Sequence, residues 1–330
     1  GPLSFSGKIV DDENYTYALK KIELQAGIVG VKDAKILLSG QVADLVSTKG
    51  INVTTKLELA KLSDLSDLVG RELPALGPIT LSGNIIDFND GYSINALDVK
   101  TGVLGVSDAN IKLNGKITDL LAAKGLDINI NLGVNTLTSL SPLFGKDLPA
   151  LTNVNLSGNI TDQKETYAIK SMKLQAGLAD VNNAKIGLTG QVADLLNVKG
   201  VDVVLNLDVE KLTELSKFIE SDLPDLPDLG PFKLTGNITD FKDSYSLKAM
   251  EIHTSVIGVS DAKIALTGQV ADLVNVEGLD VAFQLNVEHL TDLASMAGRD
   301  LPAIGPVEVS GKITGNSDAF SVQSVALKTG

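Results

Sequence analysis

Between residues 77 and 151 the chain alternates apolar and polar positions in short runs. Ile79, Leu81 and Ile85 share one parity and Thr80, Ser82 and Asn84 the other. That period of two predicts a strand with one buried face. Gly83 falls on the apolar parity, where glycine marks a bend or a close backbone approach. Asp87 to Gly91 carry turn chemistry. Tyr92 to Val99 predict a second strand whose apolar phase slips between Ile94 and Leu97, the sign of a bulge. A glycine-containing turn is expected over Gly102 to Asp108. A third strand then places Ile111, Leu113 and Ile117 on one face, and Lys124-Gly125 closes the next turn. A fourth strand adds Ile128, Ile130, Leu132 and Val134 to that face.

The period then lengthens. Leu137, Leu140 and Leu143 are three apart, as are Leu62, Leu65 and Leu68, and Leu290, Leu293 and Met296. This spacing predicts a short amphipathic helix of two to three turns. Gly70, Gly145 and Gly298 stand where such a helix would end. Leu-Pro pairs follow at Leu73-Pro74, Leu148-Pro149, Leu223-Pro224 and Leu301-Pro302. Proline disfavours helix before it and donates nothing to a ladder, so these segments read as crossings between repeats.

The whole pattern recurs. Leu81-Ser82-Gly83-Asn84-Ile85 returns as Leu156 to Ile160, Leu234 to Ile238 and Val309 to Ile313, with an earlier copy at Phe5 to Ile9. A second version lies about 32 residues later in each of the first four copies, as in Ser39-Gly40-Gln41-Val42. Repeats are therefore expected over 1–76, 77–151, 152–229 and 230–304, with a partial fifth at 305–330, together one continuous elongated domain. The fold class is mainly β: an elongated array of antiparallel strands, about four strands plus one short helix per repeat. The same apolar parity selects Val154, Leu156 and Ile160, then Ile186, Leu188 and Val192, then Val203, Leu205 and Leu207 in the third repeat. In the fourth it selects Phe232, Leu234 and Ile238, Ile264, Leu266 and Val270, and Val281, Phe283 and Leu285.

An apolar face of this extent needs a cover. Four strands about 4.8 Å apart and about 20 Å long present roughly 400 Å² per repeat. A helix of eight to ten residues covers about 150 Å². Either the sheet curls into a groove or taco with an aliphatic interior, or another apolar body fills the remainder. The residues of that parity named above are the candidate lining. An interior of Ile, Leu and Val has few polar atoms to orient a polar ligand, and it suits hydrocarbon chains. The other reading is a dry core in which the two halves of a curled sheet meet.

Composition narrows the chemistry. There is no cysteine, hence no disulfide framework and no thiolate metal site. The two histidines, His253 and His289, do not recur between repeats and read as surface residues. A formal charge of −13 argues against nucleic acid as a partner. No run of about 18 apolar residues is present for a membrane helix. No Gly-x-Ser-x-Gly, phosphate loop or calcium loop occurs, so no enzyme activity, cofactor or metal is expected. The recurring aromatic Tyr17, Tyr92, Tyr167, Tyr245 and Phe320 reads as packing rather than binding.

One stretch carries a resemblance. Leu65-Ser66-Asp67-Leu68-Val69-Gly70-Arg71-Glu72-Leu73-Pro74-Ala75-Leu76-Gly77-Pro78 runs into Ile79-Thr80-Leu81-Ser82-Gly83, and the pattern recurs from Leu293 to Gly311. This resembles the C-terminal repeat region of the AsmA family, relatives of TamB and of bridge-like lipid transfer proteins. The resemblance implies a periplasmic protein tethered to the inner membrane, with an anchor outside this fragment. It implies a lipid-transport role in cell-envelope and outer-membrane biogenesis. Phospholipid, or another acyl-chain lipid, would be held in a hydrophobic β-sheet groove between inner and outer membrane, with envelope proteins as further partners. The sequence departs from that pattern in the likeness of its repeats: Gly40 to Leu45 is identical to Gly190 to Leu195 and Gly268 to Leu273. Such likeness keeps an alternative open, a structural spacer or scaffold array with a dry β core that aids outer-membrane protein assembly.

Overall fold

A computed structural model of the chain describes residues 3–12, 16–31, 33–89, 91–122, 124–163, 166–217, 229–257, 259, 262–294 and 299–330. The fold is mainly β and antiparallel, with 69% of the chain in strands. Two compact units are distinguished, residues 1–149 with 153–171, and residues 150–152 with 172–330. The first holds β1 (Leu3–Asp12), β2 (Thr16–Ala26), β3 (Lys35–Asp44), β4 (Lys49–Leu59), β5 (Leu76–Phe88), β6 (Gly91–Val103), β7 (Val106–Asp119) and β8 (Lys124–Thr136). Each pairs with the next. The unit boundary runs through β9 (Leu151–Gln163) and β10 (Thr166–Leu178). The second unit continues with β11 (Lys185–Asp194), β12 (Lys199–Val209), β13 (Phe232–Phe241), β14 (Ser244–Ser255), β15 (Lys263–Asp272), β16 (Glu277–Val287), β17 (Val307–Asn316) and β18 (Ala319–Thr329). These too pair in succession.

Alternation sets the strands, and burial follows it. In β7 the residues from Ile111 to Lys116 alternate half-buried and exposed without a break. The outward parity carries lysine–carboxylate pairs such as Lys312–Asp280 at 2.8 Å and Lys56–Glu58 at 2.6 Å. These side chains are about half exposed, so each pair contributes little.

The phase slip in the second strand is a bulge. Pairing of β6 with β7 shifts register between Ile94 and Leu97, and Ala96 has φ +50°. Lys21, Ser171, Ala249 and Ser324 take the same positive φ at the equivalent place in β2, β10, β14 and β18. The extra residue lets Ile94 and Leu97 face the same side although three positions separate them.

Two local expectations change. The turn expected over Gly102 to Asp108 contracts to Leu104 and Gly105, because Val103 already pairs with Val106. Gly105 has φ +83°, which suits so short a connection. The expected amphipathic helix is a 3₁₀ turn, Leu62–Leu65, that passes into one α turn, Ser66–Val69. Leu137–Leu140 and Ser141–Phe144 repeat this. Leucines three apart match the three residues per turn of a 3₁₀ helix rather than the 3.6 of an α-helix. Gly70 and Gly145 end these segments in the left-handed region, at φ +68° and +64°. The Ser66 and Ser141 hydroxyls each accept a backbone hydrogen bond, from Leu73 and Leu148 at 3.1 Å, which holds the Leu-Pro segment against the helical turn. Met296, Gly298 and Leu223-Pro224 lie outside the described residues.

The two glycine motifs do different work. Gly83 and Gly236 make room for a neighbour: an added Cβ would lie 2.7 Å from the Ile94 side chain and 2.6 Å from that of Leu247. Gly190 has φ +152°, and a Cβ there would run into the Asp202 carbonyl of the facing strand. Gly187, three residues earlier in β11, would meet only the Asn206 Cβ, at 3.8 Å. Gly190→Ala is therefore expected to destabilise the protein by about 2 kcal/mol or more, and Gly187→Ala to stay within roughly 0.5 kcal/mol of the parent. Thermal or urea melts of the two variants side by side check this, and equal losses would contradict the assigned strain.

Candidate functional site

Cross-strand register turns the apolar parity into continuous rows. In the first unit Ala26, Ile36, Leu57, Leu81, Val99, Leu113 and Ile130 are successive partners from β2 to β8. In the second, Ile186, Leu207, Leu234, Ile252, Leu266 and Phe283 follow one another from β11 to β16, and the row ends at Gly311 in β17. Every side chain in these rows is half-buried. At about 4.8 Å per strand the seven-strand row is about 29 Å from first to last.

Each row lies between two buried clusters. Towards one end of the strands, Val31, Leu59 and Ile79 are buried under Leu62 and Leu65 of the helical turn and Ile28 of the β2–β3 connection. In the second unit Val287 and Val307 are buried with Leu293, Val256 and Ala262 in the same way. Towards the other end, Ile94, Leu97 and Ile128 form a cluster without helical cover, matched by Leu247, Met250, Val270 and Val281. The helical segment thus covers one end of each strand group and leaves the row beside it half open.

The expected lining maps onto this face. Ile79, Ile128, Val154, Val192, Val203, Val270 and Val281 are buried, and the other expected members are half-buried. The expectation missed the contribution of the second strand of each repeat, chiefly Ile94, Leu97, Val99, Leu247, Met250 and Ile252. The bulge hides them, since strict alternation loses phase at Ala96 and Ala249. It also left out Ile36 and Leu57 of the first repeat, which obey the same parity. The buried Thr101 hydroxyl donates to the Gly102 carbonyl at 3.0 Å.

Six aspartates at strand ends are occupied by turns. Asp162, closing β9, accepts from the Gly125 and Leu126 amides at 3.1 and 2.6 Å. Asp240 accepts from Gly200 and Val201 at 2.6 and 3.1 Å, and Asp87 from Gly50 and Ile51. The aspartate of the repeated Ala-Asp-Leu turns back on its own loop: Asp44 takes the Val46 amide at 2.8 Å, Asp194 that of Leu196 at 3.0 Å, and Asp272 that of Val274 at 3.0 Å. Among the described residues, no three His, Cys, Asp or Glu come together as a metal-binding set. His253 and His289 are exposed. The recurring aromatics are less buried than packing residues would be: Tyr17 is 52% and Phe320 57% exposed, and the half-buried Tyr245 donates its hydroxyl to the Val198 carbonyl at 3.2 Å. Among the described residues, no helix is long and apolar enough to cross a membrane.

Comparison with known family models, curated proteins and solved structures finds no match to this chain.

The turn carboxylates make a pH prediction. The Ser244 hydroxyl, then the Asn275 side chain and backbone amide, hold the Asp272 carboxyl down to about 2 from an ordinary 3.8. A depressed folded value means that the ionised form is favoured in the fold. Its stabilising contribution is complete above the unfolded value and is lost as pH falls from about 4 towards about 2. Side-chain NMR titration should place the Asp272 midpoint near 2, and Ser244→Ala should move it towards 3.8. A midpoint unchanged by Ser244→Ala would sink the assignment.

Proposed function

We propose that this chain binds acyl-chain lipid along its aliphatic rows and serves as a conduit-type lipid-transport protein of the bacterial envelope. The observation that carries the reading is the run of half-buried aliphatic residues from Ile36 to Ile130, matched by a run of half-buried apolar residues from Ile186 to Phe283. No charged side chain interrupts either row. A hydrocarbon chain laid along it gains about 0.8 kcal/mol for each methylene removed from water. The rows offer no fixed polar group that would require a particular headgroup. The resemblance of Leu65 to Gly83 to AsmA-family repeats supports a periplasmic setting between inner and outer membrane, with an inner-membrane tether.

The identity of Gly40 to Leu45 with Gly190 to Leu195 favours a second reading, a spacer or scaffold with a dry core. One experiment separates the two. Protein purified without detergent is examined by native mass spectrometry and lipid extraction, then mixed with a fluorescent fatty acid. The proposal expects co-purified phospholipid and saturable uptake of the probe. Leu113→Asn and Leu266→Asn, checked by circular dichroism for a retained β signal, should each lower uptake several-fold. Absence of both phospholipid and uptake in the parent protein would overturn the lipid reading and leave the spacer.

A further inference from the structure

The turn between the third and fourth strands of each repeat holds an aliphatic side chain in solvent. In the first unit these are Val46, 75% exposed, in the β3–β4 turn and Leu121, 73% exposed, in the β7–β8 turn. In the second they are Leu196, 66% exposed, between β11 and β12, and Val274, 69% exposed, between β15 and β16. Each stands two residues after the aspartate of its turn. That carboxylate accepts the amide of Val46, Leu196 or Val274, and in the second repeat that of Ala122 at 2.9 Å. The aliphatic tip is thus carried on a turn that its own aspartate closes. One exposed aliphatic residue is ordinary on a protein surface, but here exposure recurs at one position in four turns.

The backbone supplies a second observation. Val198 and Val276, two residues beyond Leu196 and Val274, have φ +51° and +52°. A β-branched residue is strained in this left-handed region, where glycine or asparagine fits. Both valines are exposed, by 50% and 44%, so packing does not offset the strain. Strain kept at exposed apolar residues fits a contact surface better than it fits folding.

Tyrosine adjoins three of the four tips. The Tyr17, Tyr92 and Tyr245 carbonyls accept the Leu45, Leu120 and Leu273 amides at 2.8, 2.7 and 2.7 Å, which sets the start of each second strand beside the turn. A ring with an apolar body and a hydroxyl suits the boundary between water and hydrocarbon.

Spacing and charge decide what such tips fit. Within a unit the two tips are four strands apart, about 19 Å. Single side chains so spaced fall well short of the roughly 800 Å² per partner that a stable protein interface buries. A fluid bilayer takes up each side chain separately. Lys49, Lys124 and Lys199 each follow a tip by three residues. The Asp87 and Asp240 carboxylates reach the same turns, at Gly50 and Gly200, and the whole chain carries a formal charge of −13. This balance suits zwitterionic headgroups and is repelled by an anionic surface.

We propose that this end of each unit docks on a zwitterionic phospholipid bilayer, with Val46, Leu121, Leu196 and Val274 entering the boundary between headgroups and acyl chains. The inference does not rest on acyl-chain binding along the rows, because tips and rows share no residue.

The test is flotation of the whole chain with phosphatidylcholine vesicles. The parent protein should float, and less of it should float with phosphatidylglycerol vesicles. Val46→Ser, Leu121→Ser, Leu196→Ser and Val274→Ser combined should lower partitioning about tenfold. Their circular dichroism and fatty-acid uptake should stay those of the parent, since these positions are exposed and lie off the rows. Leu68→Ser with Phe144→Ser removes side chains that are 62% and 58% exposed at the opposite end of the strands, and should leave flotation unchanged. The chain has no Trp, so Leu121→Trp gives a single reporter whose emission should shift to the blue on vesicles, while that of Phe144→Trp should not. A parent that does not float, or one that prefers phosphatidylglycerol, would overturn the proposal. Equal losses from the two sets of serine variants would also overturn it, as general adhesion. So would self-association in sedimentation velocity that the four tip substitutions abolish, which would assign the tips to a second copy.

Discussion

The structure depends on keeping register parity through an irregular strand. In an antiparallel sheet a slip of one residue sends every following side chain to the opposite face. A strand quartet that repeats can keep one aliphatic side only if every irregularity is absorbed where it arises. The bulge at Ala96 and its equivalents does this. It spans the step from Ile94 to Leu97, and the partner strand supplies Gly83 beside it, leaving space for the Ile94 side chain. Glycine and bulge are two halves of one device, and the row from Leu81 through Val99 to Leu113 runs beside it intact.

Polar chemistry is spent at the ends of the strands. Asp162 and Asp240 each bind two backbone amides of a facing turn, and Asp44, Asp194 and Asp272 close their own loops. Turn amides left unpaired would be costly where partly buried, and a carboxylate satisfies two of them with charge-assisted bonds. This accounts for aspartate recurring at fixed places in an acidic chain. It also separates the carboxylates from the aliphatic face, so the row from Leu81 through Val99 and Leu113 to Ile130 carries no polar side chain to select a ligand.

Strands one, three and four of each repeat were legible because alternation is uninterrupted in runs such as Ile111 to Ile117. The bulge was legible as a phase slip, yet its consequence was not. Placing Ile94 and Leu97 on the same face requires the backbone conformation at Ala96, which a parity count does not contain. The helical segment was legible in position but not in kind. A three-residue leucine spacing reads as one helix face until the local hydrogen bonding is seen to be 3₁₀ from Leu62 to Leu65. The two glycine motifs look alike in sequence and part only in three dimensions. Gly83 yields to a side chain, whereas Gly190 yields to a backbone carbonyl. Distant contacts set that difference, as they set how much of the apolar face is covered.

Repetition has a physical consequence for such a face. Where each strand presents the same aliphatic row at the same height, a hydrocarbon chain on one stretch meets nearly the same surroundings one strand further on. Binding that is equal at successive positions cannot fix a ligand in place, and it sets no large barrier between them. A pocket with one placed donor would do the opposite. Along the row from Ile186 to Phe283 the steps are Ile, Leu, Leu, Ile, Leu and Phe, so the surface changes little in chemistry and only Phe283 changes it in shape. Near identity of repeats is therefore compatible with a path as much as with a spacer. What tells them apart is whether the half-open strip beside the helical turns stays wetted by solvent or is filled by hydrocarbon.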